Sequence, residues 1–433
     1  MSKKKKKTQT GNVTPLPRNL RASAFSKSIV LSIFLNLLLC ALYCAALLQL
    51  LTGIDRETMF STSDSLTYLN VGNWLFDRTP TDDTLIRPFF FPLLLRSALG
   101  VFGIRGTWFL QFLFWAASIN FLFFAVRKQT ESILASFSSA LLMASNLSYL
   151  ALTLHALSDV LSTLLLSILV WLLVRRRGSL RDAGLHRGLL IVSVLSAVVK
   201  PQYLGFVIIL LFLVFLLLDL GHYLRKPQNI LVLVLILVPL FFQVGIMKAK
   251  HDRWSISGIG SITFKDYFFA QGYAETTGIG IQEARERIKK FTSSDMREFL
   301  RRHRAIYLRN FFGNIAHNID AHPTFLAYPE NKKHHAFFRL MQHVNRAYLY
   351  AHFAFFFLIM LDAILLWVKR SRDELALIAV LSFVLYFILL TVGISFWQGD
   401  RLVLPSLPVW ITLYTTTIFH LKKHFFEYFE VSW

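Results

Sequence analysis

Charge is scarce in this chain: Asp, Glu, Lys and Arg make up only 16% of 433 residues, against about a quarter in a soluble globular protein. That shortage excludes an ordinary water-facing surface over most of the molecule. Cysteine is scarcer still. Cys40 and Cys44 stand one helical turn apart inside an apolar run, which excludes a disulfide framework and a cysteine-ligated metal. There is no phosphate-cradling glycine-rich loop, no Gly-x-Ser-x-Gly elbow and no His-Glu-x-x-His helix, so soluble-type nucleotide, serine-hydrolase and zinc-protease chemistries are not expected. The histidines His303, His317, His322, His334, His335 and His343 follow no ligand spacing. No cofactor is therefore expected, and a divalent metal is not indicated.

What is abundant is apolar surface, 55% of the residues. Stretches such as Ile29–Leu51 and Ile230–Met247 hold roughly the 20 apolar residues that carry a helix across about 30 Å of hydrocarbon. The pattern predicts an all-α polytopic membrane protein with about ten transmembrane helices, near 29–51, 107–126, 132–152, 158–174, 188–199, 202–219, 229–247, 349–367, 374–393 and 402–419. The fifth of these is short before Lys200-Pro201, so tilt or local thinning is expected there.

The net charge of +21 lies in short blocks between apolar runs rather than on one basic face, so no nucleic acid partner is expected. Placing Lys3–Lys7 in the cytoplasm sends Arg127-Lys128, Arg175-Arg176-Arg177 with Arg181 and Arg187, Arg225-Lys226, Lys369-Arg370 with Arg372, and Lys422-Lys423 to the same side, as the positive-inside rule requires. Residues 1–28 then form a basic cytoplasmic tail, 29–247 a transmembrane core, 248–348 an outer loop, and 349–433 the closing helices with a short basic tail. The first apolar run is too long, and lacks the small-x-small site, for a cleaved signal.

Two hydrophilic segments face outward on this topology: a first loop within 52–106, and 248–348, long enough to be translocated whatever its charge. The run Arg87–Gly103 is apolar enough to tempt an eleventh span. Counting it would reverse the parity of the basic blocks, so an interfacial helix is expected. Within Gln282–Phe312, Ile288, Phe291, Phe299, Leu300, Ile306, Tyr307, Phe311 and Phe312 alternate with arginines, which predicts two amphipathic helices on the membrane surface.

The outer segments carry the candidate site. Asp64 and Tyr68, four apart, share a helix face. Asp159, in His155-Ala156-Leu157-Ser158-Asp159, stands at the mouth of the fourth span, where an ionisable group needs a reason to be. Arg87 before Pro88, Lys200 before Pro201, and Arg401 fall at three separate outer ends. Converging, they would suit phosphate oxygens, Arg through bidentate hydrogen bonds and Lys as a point charge.

These segments together resemble the GT-C superfamily of integral-membrane glycosyltransferases, in the branch of protein O-mannosyltransferases and lipid A aminoarabinose transferases. Asp64-x-x-x-Tyr68 is similar to its acidic-then-tyrosine signature, and Arg87-Pro88 with Pro92 to its basic-Pro-x-x-Tyr-Pro stretch, although Phe91 stands where Tyr is common. Asp159 matches the second acidic position. Lys200-Pro201 resembles an Arg-Pro pair with Lys substituted, and Arg401 with Pro405 and Pro408 resembles Arg-x-x-x-Pro-x-x-Pro.

The resemblance implies the GT-C fold, in the cell membrane with the site facing periplasm or exterior, and a polyprenyl-phosphate sugar donor. The acceptor would be a lipid, glycan or protein. Asp64 and Asp159 would be catalytic, with Tyr68, Arg87, His155, Lys200, Tyr203 and Arg401 binding substrate. A polymerase or ligase of lipid-linked glycans and a transporter are the competing classes. The latter would show repeats and midplane charges, and neither is seen in the sequence.

Overall fold

A computed structural model describes residues 30–45, 55–77, 87–175, 183–209, 227–320, 336–396 and 398–430. The Lys3–Lys7 tail, much of the expected sixth span, Asp82, Asp83, Arg176, Arg177, Arg181, Arg225, Lys226, His322, His334 and His335 lie outside them. Among the described residues there is no strand.

In chain order the principal helices are α1 (Val30–Ala45), α2 (Ser63–Asp77), α3 (Phe90–Thr130), α4 (Ile133–Ala144), α5 (Leu147–Ala151), α6 (Asp159–Arg175), α7 (Ala183–Val199), α8 (Pro227–His251), α9 (Ala270–Thr277), α10 (Ile281–Ile288), α11 (Ser293–Arg302), α12 (Arg304–Asp320), α13 (Ala336–Val368), α14 (Arg372–Val392) and α15 (Leu407–Glu430).

Five helical stretches among the described residues are long and apolar enough to cross a membrane: α3, α8, Arg346–Val368 of α13, α14, and Asp400–Phe425 containing α15. The bent pair Ile133–Ala144 and Leu147–Leu154, at 59°, makes a sixth if it counts as one crossing. Among the described residues, the expected first, fourth and fifth spans appear as shorter helices. α7 begins at Ala183 rather than near residue 188, because Gly184–Arg187 continue the helix despite their polarity. The break between α4 and α5 is chemical: the Asn146 side chain accepts from the Tyr149 N–H at 2.8 Å, a cap that starts a new helix.

α3 has 41 residues, and a straight helix of that length would reach about 60 Å, twice the hydrocarbon thickness. Gly103 interrupts it at φ 65°, ψ −158°, a conformation only glycine adopts readily. The stretch before Gly103 coincides with the expected interfacial segment and the stretch after it with the expected span.

The core lies where α3, α6 and α15 meet, around Trp115, Ile119, Leu122, Leu166, Val170, Val409 and Leu413, all fully or nearly fully buried. The outside is apolar as well. Leu231, Leu235 and Phe241 of α8 and Phe353, Phe357 and Trp367 of α13 are exposed, a surface matched to lipid rather than water. Helix length and composition are thus compatible with a polytopic membrane protein.

The long hydrophilic segment departs from expectation. Three helices, α10 to α12, replace the predicted two, because Thr292 and Asp295 form a reciprocal capping box that starts α11. Part of their apolar surface is turned inward. Ile288 and Tyr307 pack with Phe268 and Phe269 into a small core of their own, and the Tyr307 hydroxyl donates to the Phe269 carbonyl at 3.0 Å.

Candidate active site

Each charged residue of the site stands at a place where the backbone changes direction. Thr62 caps α2, its hydroxyl accepting from the Ser65 N–H at 3.0 Å, which leaves Asp64 in the first turn. Asp159 opens α6, where the helix dipole favours a carboxylate. Lys200 is held extended, φ −134°, ψ 118°, because the residue before a proline is driven out of the helical region. α7 ends at Val199 for that reason. Arg401 follows Gly399, whose φ of 68° only glycine takes easily, and sits in a 3₁₀ turn ahead of α15.

These ends are fastened to one another. The Gln111 amide of α3 donates to the carbonyls of His155 (3.1 Å) and Leu157 (2.9 Å), fixing the chain that leads to Asp159. The Ala156 N–H donates to the Met59 carbonyl at 3.0 Å, joining that chain to the segment ahead of α2. Asn318 of α12 accepts from the N–H groups of Gln398 (3.1 Å) and Gly399 (3.0 Å) and donates to the Ser395 carbonyl at 2.7 Å. One buried amide side chain thus shapes the turn that carries Arg401.

The result is a single cavity of about 440 Å³ whose wall includes Asp64, Arg87, Asp159, Lys200 and Arg401. Asp64 is gripped on both oxygens, Oδ1 by Arg87 and Oδ2 by Arg401 at 2.5 Å. Lys200 Nζ lies 2.6 Å from Asp159 Oδ1. Lys200 also acts electrostatically on Asp64, and Asp159 on Arg401, so the two ion pairs form one network. Tyr68 supports it: its hydroxyl is 2.7 Å from Ser158 Oγ, its ring lies 5.1 Å beneath the Arg87 guanidinium, and Phe91 packs edge-on against it.

Burial pushes the Asp64 carboxyl upward, but the Arg401 and Arg87 charges outweigh it and hold the group at about 2. In this arrangement Asp64 is a firm anion and a weak base. The wall carries three cations and two carboxylates, one positive charge in excess. Low-dielectric surroundings strengthen the pull of such an excess on an anion.

Two expected binding residues are not on the cavity wall. His155 is buried behind it, with Nδ1 3.3 Å from Ser61 Oγ, and burial pulls its imidazole down to about 4, leaving it neutral. Tyr203 is fully buried and stacks on Phe206 at 5.6 Å. Both support residues that do line the site. Among the other acids of the first loop, Asp55 caps the Arg56–Met59 helix and Asp77 faces Arg96.

Several lining residues were not legible in the sequence. Gln398, whose side chain accepts from Arg401 at 2.8 Å, had only its proximity to Arg401 to mark it. Thr263 and Tyr267 come from a π-helical stretch, Thr263–Phe269, a rare geometry that recurs at functional sites and leaves no periodicity to read. Ser395 and Thr391 arrive through the packing of α12 on the end of α14.

No group of three or more His, Cys, Asp or Glu side chains suited to a metal occurs among the described residues. Comparison with known protein families, curated proteins and solved structures finds no match. The likeness to membrane glycosyltransferases therefore rests on the residues quoted from the sequence.

Proposed function

We propose that this chain is an inverting membrane glycosyltransferase. It moves a sugar from a polyprenyl-phosphate donor to an acceptor hydroxyl, in a cavity opening away from the cytosol. It would cross the membrane ten times, with its N-terminus in the cytoplasm. The supporting observation is the charge balance of the cavity: two carboxylates and three cations drawn from five distant points of the chain.

A sugar phosphodiester carries one negative charge, which matches the single excess cation. In the transfer, the acceptor oxygen bonds to the anomeric carbon, the bond from that carbon to the phosphate oxygen breaks, and its electron pair leaves with the phosphate. The hydroxyl proton passes to Asp64. The leaving phosphate then holds two charges and the wall, with Asp64 neutralised, two excess cations. Charge stays balanced from start to finish, so little reorganisation is needed in a low-dielectric site.

The grip of Arg87 and Arg401 on Asp64 bears on this scheme. Donor phosphate oxygens compete for the same guanidiniums, and each hydrogen bond they take from Asp64 raises its basicity. The base is thus armed by the donor. Lys200 adds a point charge to the phosphate, and Asp159 holds Lys200 in place and orients the acceptor.

The test is release of polyprenyl phosphate from a panel of polyprenyl-phosphate hexoses and pentoses by purified protein. Asp64→Asn should lower turnover about 10²- to 10⁴-fold, the usual worth of a general base. Turnover by Asp64→Asn equal to wild type would remove the base from the scheme.

A further inference from the structure

A second basic site stands at the far end of the same helices. α6, 17 residues long, carries Asp159 at one terminus and Arg175 at the other, a rise of about 24 Å. α3 runs alongside it and presents Arg127 and Lys128 in its last turn. Between them lies a groove of about 660 Å³, floored by Phe121, Phe124 and Trp171.

The groove is cationic at its rim and aromatic beneath. Arg175 lies 4.8 Å over the Trp171 ring, and Phe121 meets Trp171 edge-on at 5.6 Å. The Nη1 of Arg127 is buried with no hydrogen-bond partner among the described residues. A buried guanidinium nitrogen left so is costly unless an acceptor reaches it. Three cations face one carboxylate, Glu131, so the wall favours an anion.

Order along the helices gives that anion a shape. The cations lie at the helix ends and the aromatic rings one turn deeper, the order in which a lipid presents its phosphate and then its acyl chains. We infer that the α3–α6 groove binds the phosphodiester headgroup of an anionic phospholipid, with its chains against Phe121, Phe124 and Trp171. The inference does not depend on the glycosyltransferase proposal. It places a lipid contact roughly one bilayer thickness from the cavity, on the helix that carries Asp159.

Native mass spectrometry of the full chain released from phosphatidylcholine nanodiscs with graded phosphatidylglycerol tests it. Wild type should retain phosphatidylglycerol preferentially, and Arg127→Gln/Arg175→Gln should weaken retention about fivefold for each charge removed. Lys422→Gln/Lys423→Gln, which removes equal charge elsewhere, should keep it. Equal loss from both double variants, or from neither, overturns the site. On the unaltered protein, an anionic lipid with a photoreactive group near its headgroup should cross-link within residues 121–131 or 171–175. Cross-links only elsewhere overturn it independently.

Discussion

At the scale of single residues, the decisive contact is the double grip on Asp64. Replacing it with Asn leaves the buried Arg401 and the partly buried Arg87 short of an anion, a change of the kind that costs about 3–5 kcal/mol when fully buried. The same variant should then bind polyprenyl phosphate more tightly than wild type, and the lipid should raise its melting temperature by more. Weaker binding by Asp64→Asn would mean that donor and carboxylate do not compete for Arg87 and Arg401. His155 makes a separate prediction. Its imidazole takes up a proton near 6.5 when unfolded and only at about 4 when folded. Its contribution to stability is therefore greatest above about pH 6.5 and is lost as pH drops toward 4, by about 3 kcal/mol in all. Unfolding profiles at stepped pH should fall less steeply over that range in His155→Gln than in wild type, and equal slopes would exclude the contribution.

At the scale of elements, α12 acts as a brace for the site. α12 reaches the turn before α15 through Asn318, which satisfies the Gln398 and Gly399 N–H groups. Asn318→Ala orphans both, at about 1–3 kcal/mol for each buried donor, and lets Arg401 drift. Donor KM should rise more than kcat falls, and Asn318→Asp, which keeps an acceptor for both N–H groups, should recover part of the loss. No recovery with Asp would point to the donated bond to Ser395 instead. How far such elements can be read in advance varies. The Lys200 turn was legible because proline dictates the residue before it, and Asp159 because a charge against an apolar run must be explained. The split of Gln282–Phe312 into separate helices needed the Thr292–Asp295 pair, a two-residue signal easily lost beneath the amphipathic pattern. The π-helical Thr263–Phe269 left no trace.

At the scale of the whole molecule, α3 and α6 join two clusters with an excess of basic side chains at opposite ends, the cavity near Asp64 and the groove near Arg127. With Cys40 and Cys44 replaced by serine, single cysteines at Asp295 and Lys128 should differ in intact cells. A membrane-impermeant thiol reagent should label the first and spare the second. Labelling of both or of Lys128 alone would reverse or abolish the proposed orientation. Exposed leucines and phenylalanines on α8 and α13 fit a lipid environment, while the buried network of the cavity needs the opposite surroundings.

The sequence by itself determined that the chain is helical and apolar, where a few of its turns fall, and that a few charged residues stand at span ends. Those are consequences of short-range rules: hydrophobic length, proline geometry and the cost of a charge beside hydrocarbon. Only the tertiary structure decided that Asp64 meets Arg401, 337 positions away, and that Asp159 meets Lys200. It also decided that His155 and Tyr203 stand behind the wall rather than on it. Long-range pairing depends on how α2, α3, α6, α7 and α15 pack, and periodicity along one chain carries no record of which helix ends will face each other.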